Sequence, residues 1–260
     1  MIRERVDGIV LYRFQGLAGV AAVSHAVLTR IGGVSRPPYA TLNLCRSDGE
    51  DPAAVAENLR RTSRALGMEP DTFVRAWQVH GARVNVAGRA DRGGIHPDTD
   101  ALVTAVPDVP LLMCFGDCAP VLFFDPVRRA IGIAHAGWRG VVAGSVPVTV
   151  QAMTERLGCT PADLWAGVGP TIGPCCYEVG PEVIAAVEAA CPPGADIVRG
   201  VDGRVQLDLP AAVGAQLRAA GVEQIEDAGL CTACHVDEFF SHRAEHGRTG
   251  RFGVVMELIE

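Results

Sequence analysis

The sequence predicts an α+β fold with mixed and antiparallel β-sheets flanked by helices, and three observations lead there. Two apolar β-type runs, Val121 to Phe124 and Ala130 to Ala134, flank a Pro-containing turn and the basic pair Arg128-Arg129, so they read as neighbouring antiparallel strands. Strand-like and helix-like stretches alternate elsewhere, which alone would suggest a parallel α/β sheet, but the central hairpin requires antiparallel pairing. No internal repeat and no long linker divides the chain, so residues 1–260 are expected to form a single domain. With 48% hydrophobic and 20% charged residues, a chain of this length has ample material for a core.

Taken in order, Gly8 to Phe14 alternates apolar and polar residues, and Val20 to Leu28 ends in Thr29-Arg30; both read as strands. Gly32-Gly33-Val34-Ser35 and Pro37-Pro38-Tyr39 then form a loop with Arg30 at its entrance. Its backbone N–H groups could meet an anion, or it is an ordinary Gly-Pro turn. Asp51 to Met68 is helical: Asp51-Pro52 reads as an N-cap with proline in the first turn, and Val55, Leu59 and Leu66 recur at near-helical spacing. Its Arg60, Arg61 and Arg64 make a solvated face. Thr72 to Val79 should be a strand broken at Gly81 and continued by Ala82 to Val86. Gly88 to Thr99 is expected to be a mobile loop with His96 solvated, and Asp100 to Thr104 returns to the sheet. Val141 to Leu157 reads as a helix interrupted at Pro147, and Leu164 to Val168 as a strand. Pro181 to Ala190 and Leu209 to Ala220 read as helices, with a polar hairpin around Asp202-Gly203 between them.

The formal charge of −7 and pI near 5.5 argue against a nucleic-acid surface, which needs clustered Lys and Arg. Nine cysteines, an odd number without the density of a disulfide scaffold, point to a reducing, cytoplasmic setting. Met1 to Asp7 is charged and Arg13 and Gln15 follow, so no signal-peptide core is legible. Apolar runs stop well short of the roughly 20 residues of a membrane helix. Neither nucleic acid nor membrane is expected as a partner.

The chemistry concentrates between Cys114 and Gly140. The predicted hairpin brings Asp117 and Cys118, at the outer end of one strand, beside His135 and Arg139 at the outer end of the other. A thiol and an imidazole so placed can be a nucleophile and its base or two metal ligands. Upstream, Trp77-Gln78-Val79-His80-Gly81 offers His80 where a strand breaks at glycine. His80, Cys118 and His135 together would leave the fourth tetrahedral position of zinc open, as in catalytic sites. After Gly140, a helix start with small residues behind Arg139 would favour an anion.

Several segments carry a resemblance: Leu28-Thr-Arg-Ile-Gly-Gly-Val-Ser35, Tyr39-Ala-Thr-Leu-Asn-Leu44, Gln78-Val-His-Gly81, Asp117-Cys-Ala-Pro-Val-Leu122 and Ala134-His-Ala-Gly-Trp-Arg-Gly140. Gly169-Pro-Thr-Ile-Gly-Pro-Cys-Cys-Tyr-Glu-Val179, Phe239-Phe-Ser-His-Arg243 and Thr249-Gly-Arg251 complete the set. In this order they resemble the multicopper polyphenol oxidoreductase or laccase-domain family, the YfiH-like proteins, described as purine nucleoside phosphorylases with adenosine deaminase activity. The resemblance implies the same α+β class and a zinc held by His80, Cys118 and His135, which are also the catalytic residues. It implies a nucleoside (adenosine, inosine or S-methyl-5'-thioadenosine) and phosphate as small-molecule partners; the chain itself is expected to be a monomer. Arg30 and Ser35 are then the phosphate or ribose rim, with Asn43 and Gln78 as substrate hydrogen-bonding residues. Two positions depart from the family: Ala244 replaces a second arginine after Arg243, and Gly116 stands where alanine commonly precedes Asp-Cys.

Three alternatives stand beside it. Cys118 could be a hydrolytic nucleophile with His135 as base, editing a UDP-muramoyl amino acid precursor. The older reading of the family would place copper and a laccase-like polyphenol oxidation here, but only His80 and His135 of seven histidines occupy convincing positions. A structural zinc would need a fourth ligand from His25, Cys114, Asp117 or His242. Cys175 and Cys176 are expected as buried thiols. Cys231-Thr-Ala-Cys234-His235 has the spacing of haem attachment, but nothing supports export, so this Cys-x-x-Cys is expected to be accidental.

Overall fold

The computed structural model describes residues 1–45, 49–201 and 204–260, and in it two sheets stack face to face between helices. The first sheet has seven strands in the order Ile2–Val6, Ile9–Arg13, Val23–Leu28, Phe252–Leu258, Leu111–Phe115, Val74–Ala76 and Ile95–His96. The second has six, in the order Gln224–Asp227, Trp165–Val168, Ala119–Asp125, Ala130–Ala136, Ala101–Thr104 and Val84–Val86. Most pairings are antiparallel. Trp165–Val168 with Gln224–Asp227, Val84–Val86 with Ala101–Thr104, and Val74–Ala76 with both its neighbours are parallel, so both sheets are mixed as expected.

Side-chain alternation along the central hairpin explains the layering. Leu122, Phe124, Ile131 and Ile133 face the first sheet, where they meet Phe14, Met113, Phe252, Val254 and Met256. Val121, Phe123, Ala130 and Ala134 point the other way, onto the helices Ser145–Leu157 and Leu209–Ala219 through Val146, Val150, Met153, Val213 and Leu217. The opposite face of the first sheet is covered by the helix Pro52–Leu66. That helix begins as predicted, with Asp51 accepting from Ala53 N–H at 2.9 Å, and ends at Gly67 in the left-handed region (φ 69°). Strands buried on both faces read as continuous apolar runs, which is why 119–125 and 130–136 are entirely buried.

The hairpin pairs Ala130 with Asp125 through to Ala136 with Ala119, closing on Asp125, whose carboxylate accepts from Val127 and Arg128 N–H. Other expectations need correction. The helix after the hairpin is two helices, Trp138–Val142 and Ser145–Leu157, and the break falls at Gly144 (φ 76°) because Pro147 fits in the first turn of the second. The loop 88–99 is partly built in: Ile95–His96 pairs with Val74–Ala76, and His96 is half-buried, 3.5 Å from Asp91. The charged N-terminus forms the edge strand Ile2–Val6, where polar side chains suit solvent. Phe239 and Phe240 are fully buried in irregular backbone that belongs to no strand. The ribbon Val198–Val201 with Arg204–Leu207 matches the predicted hairpin, whose tip Asp202-Gly203 lies outside the described residues.

Phe252, fully buried between the sheets against Phe115 and Phe239, tests this layering. Phe252→Ala should cost about 3–5 kcal/mol in denaturant unfolding, whereas Val127→Ala, at a position 69% exposed in the hairpin turn, should stay within about 0.5 kcal/mol.

Candidate metal centre

Three chain segments converge where the backbone crosses between sheets. Leu111–Phe115 ends in the first sheet, Gly116 to Cys118 makes the crossing, and Ala119–Asp125 begins the second. Cys118 sits at the crossing's end on the inter-sheet side, and His135 shares that side because it continues the alternation of Ile131 and Ile133. One step past the Ala136–Ala119 pair, Gly137 faces Cys118: a Cβ there would stand 2.6 Å from its Sγ. Glycine is what leaves room for the thiol.

His80 arrives from the loop after Val74–Ala76. Gln78 continues that strand's ladder with its side chain, donating from Nε2 to Cys114 O at 2.9 Å and accepting from Cys114 N at 3.1 Å on Oε1. The chain then turns sharply, with His80 at φ 62°, a region non-glycine residues seldom occupy. Asp100 holds the turn. Its buried carboxylate accepts from Val79 N at 3.3 Å, His80 N at 2.9 Å and Gly81 N at 2.8 Å. His135 donates from Nδ1 to the same carboxylate at 2.9 Å, leaving its Nε2 for Cys118. One Nδ1/Nε2 atom from each of His80 and His135 and the Sγ of Cys118 all lie within 4.8 Å of one another. The imidazole rings meet edge to face, centroids 4.8 Å apart.

The charges reinforce one another. Burial pushes the Cys118 thiol up, but the charge of His135 and hydrogen bonds from His135 and His80 outweigh it and bring the pKa down to about 6. Burial likewise opposes protonation of His135, yet Cys118 and Asp100 raise it to about 9. Burial raises Asp100, while the His135 and backbone hydrogen bonds hold it below the usual carboxylate range. Without metal these shifts favour a thiolate on Cys118 paired with a protonated His135. With metal, two imidazoles and a thiolate form a donor set zinc accepts, and the Asp100–His135 hydrogen bond is the outer-shell support that metal-bound histidines commonly have.

Among the described residues no fourth His, Cys, Asp or Glu joins this group. Cys114, one suspect, is disulfide-bonded to Cys45 and so is not available as a ligand. Asp117 is occupied: its carboxylate accepts from Thr232 Oγ1 at 2.6 Å and Arg243 N at 2.6 Å. His25 is buried and accepts at Nε2 from Phe14 N, its pKa lowered by burial to about 4. His242 is exposed and outside the group.

The residues expected to bind substrate also have partners within the chain. Arg30 donates to Ala40 O and Val236 O, pairs with Glu245 at 3.1 Å and lies over Phe240. Ser35 is buried and accepts from Asn58. Asn43 is fully buried, bonded to Cys45 O, Glu50 and Arg251 N. Gln78 serves Cys114. Irregular loops leave backbone groups unpaired, and these polar side chains satisfy them.

Residues missed in the sequence occupy the surroundings. A cleft is lined by Arg36, Pro38, Tyr39, Trp77, Arg248 and Arg251. Trp77 is 57% exposed. Arg251 is half-buried within electrostatic reach of Cys118, and its side chain fills the space beside Gly116, where a Cβ would lie 3.0 Å from Arg251 Cδ. The unusual glycine at 116 is thus matched to Arg251. Cys175 and Cys176 are also corrected: the first is exposed, the second half-buried, and both lie beside Cys231 and Cys234.

Fold and site together define an α+β protein with a His-Cys-His group between two sheets that could hold a metal ion. The chain belongs to the multi-copper polyphenol oxidoreductase laccase family, whose model matches residues 24–259. It is 43% identical over 252 residues to a purine nucleoside phosphorylase of Deinococcus radiodurans, covering 96% of this chain and 94% of the relative. It is 36% identical over 247 residues to purine nucleoside phosphorylase YlmD of Geobacillus stearothermophilus, covering 91% and 90%. The crystal structure of YlmD from that organism superposes with a TM-score of 0.92 at 34% identity, over 99% of this chain and 98% of the other.

Two variants test the support of the cluster. Asp100→Asn should weaken metal affinity about 10–100-fold, and Gly137→Ala should displace Cys118 and deplete the metal; competition with a chelating dye reads both, with circular dichroism to check folding. A second test reads the thiol. In metal-stripped protein, iodoacetamide labelling of Cys118 should rise with pH through about 6, because the depressed pKa makes thiolate dominant above it. Buried Cys159, pushed up to about 12 by burial and Asp125, should stay unlabelled at neutral pH. A Cys118 labelling curve centred near 9 would remove the thiolate–imidazolium pair.

Proposed function

We propose that this chain is a zinc-dependent purine nucleoside phosphorylase acting on adenosine, inosine and S-methyl-5'-thioadenosine, with adenosine deaminase activity at the same site. The observation that carries the reading is the set His80, Cys118 and His135, supported by Asp100 and joined by no fourth ligand among the described residues. The names of its relatives, purine nucleoside phosphorylases, support the phosphorolysis. When bound, zinc would supply Lewis-acid charge and lower the pKa of a water molecule. The copper reading has less support, since of the seven histidines only His80 and His135 enter a metal-ligand group among the described residues.

The chain's own groups do the rest. Trp77 offers an exposed aromatic face for a purine, and Arg36, Arg248 and Arg251 in the same cleft supply positive charge for phosphate. In phosphorolysis a phosphate oxygen bonds to C1' of the ribose as the C1'–N9 bond breaks, and the base leaves with that electron pair and gains a proton. In deamination the oxygen of water bonds to C6 of adenine and ammonia leaves. The partners are a nucleoside and phosphate, bound to a cytoplasmic monomer with neither nucleic acid nor membrane. Among the described residues, no helix is long and apolar enough to cross one.

The low Cys118 pKa favours a second reading, a cysteine hydrolase with His135 as base, editing UDP-muramoyl amino acid precursors. Iodoacetamide separates the two: a thiolate holding zinc is shielded, so labelling of Cys118 in metal-replete protein favours the hydrolase. The main test is product analysis. Adenosine with phosphate should yield adenine and ribose 1-phosphate, with inosine and ammonia from deamination, and His80→Ala, Cys118→Ala and His135→Ala should each abolish turnover while remaining folded. Absence of product from adenosine, inosine and methylthioadenosine by metal-replete protein overturns the proposal.

A further inference from the structure

Four cysteines take no part in the chemistry above. The strands Trp165–Val168 and Gln224–Asp227 pair in parallel, so the chain leaves their ends side by side. A bridge between Thr171 and Cys231 extends the contact into the loops, and Thr232 N donates to Thr171 O at 3.0 Å. One loop delivers Cys175 and Cys176, the other Cys231 and Cys234. Cys234 Sγ lies 3.5 Å from both Cys175 Sγ and Cys176 Sγ, and all four sulfurs fall within 4.8 Å of one another. None of the four is in a disulfide.

The spacing has a chemical meaning. Tetrahedral zinc with four metal–sulfur bonds of about 2.3 Å has sulfur–sulfur edges of about 3.8 Å, the scale at which these four already stand. Gly173 N–H donates to Cys231 Sγ at 3.2 Å, a contact that favours a thiolate. A Cβ on Gly173 would lie 3.3 Å from Cys231 Cβ and 3.4 Å from Cys175 Sγ, so glycine lets the loops close this far. Four soft sulfur donors leave no open position, and such closed sets are structural. We propose that Cys175, Cys176, Cys231 and Cys234 form a second metal site, a tetrathiolate zinc centre that fastens these two loops together. The Cys-x-x-Cys at 231–234 is half of it.

The centre is tied to the first site through the chain. Thr232, beside Cys231, donates to the Asp117 carboxylate at 2.6 Å, and Asp117 O accepts from Ile172 N at 2.9 Å, on the loop that continues to Cys175. Asp117 precedes Cys118. Fastening the two loops therefore steadies the residue that positions the catalytic thiol.

Metal analysis of protein purified under reducing conditions with zinc supplied tests the proposal. The unmodified chain should hold two equivalents; Cys118→Ala should keep one, and Cys175→Ala and Cys234→Ala should each keep one. Cobalt(II) loaded into Cys118→Ala should show intense thiolate-to-metal charge-transfer absorption, which Cys234→Ala in the same background abolishes. A measurement on the unmodified chain guards against variants that fail to fold: Cys175 and Cys234, both exposed, should resist alkylation until a chelator is added. A single equivalent that Cys118→Ala loses and Cys175→Ala retains, or equal alkylation of Cys175 and Cys234 before and after chelation, overturns the second site.

Discussion

The buried carboxylate of Asp100 is the constraint on which the site depends. It is fully buried, and a charge in that position is costly unless hydrogen bonds surround it. Three successive backbone N–H groups, from Val79 to Gly81, and the His135 imidazole provide them. To present those N–H groups the backbone must turn tightly, and the positive φ of His80 is the consequence. The same four interactions aim both histidines at Cys118. Desolvation of the carboxylate, strain in the loop and orientation of the ligands are therefore parts of one arrangement, and losing any donor would leave charge unpaired in the core.

Asp117 does comparable work for the thiol. It adopts a positive φ of 86° at the crossing between sheets, and four groups hold it there: Thr232 and Arg243 on its carboxylate, Ile172 and Thr171 on its carbonyl. These come from two loops distant in sequence, one after Trp165–Val168 and one before Phe252–Leu258. The crossing itself is irregular, and irregular backbone needs partners from elsewhere to be rigid. Although the chain carries −7 overall, Arg36, Arg248 and Arg251 line one cleft together with Glu50 and Asp51, so its lining is less acidic than the chain as a whole.

What could be read in the sequence follows from which interactions are local. The hairpin 119–136 was legible because its two apolar runs and Asp-Pro turn are contiguous, and the juxtaposition of Cys118 with His135 follows from register alone. Asp100 was not legible: an aspartate before a buried strand looks like a turn residue, and only its burial reveals the three N–H groups around it. Arg30, Ser35, Asn43 and Gln78 illustrate the converse. Polar residues among glycines and prolines suggest a binding rim, but the same loops need internal hydrogen bonds, and all four side chains make them. Cys175 and Cys231 lie 56 positions apart on loops following a parallel pair, and parallel partners leave no mark in local sequence.

The ligands of the first centre come from three segments in two sheets, so the site cannot assemble before the sheets stack. A metal bound there would stabilise only the native state, adding to stability by mass action without being required for folding. The inter-sheet core of Phe14, Phe115, Phe124, Phe252 and their neighbours is large enough to stand alone. A closed structural centre would commit every ligand to stability, whereas here the stacked sheets supply stability and Asp100 aligns a three-donor group that no fourth His, Cys, Asp or Glu joins among the described residues.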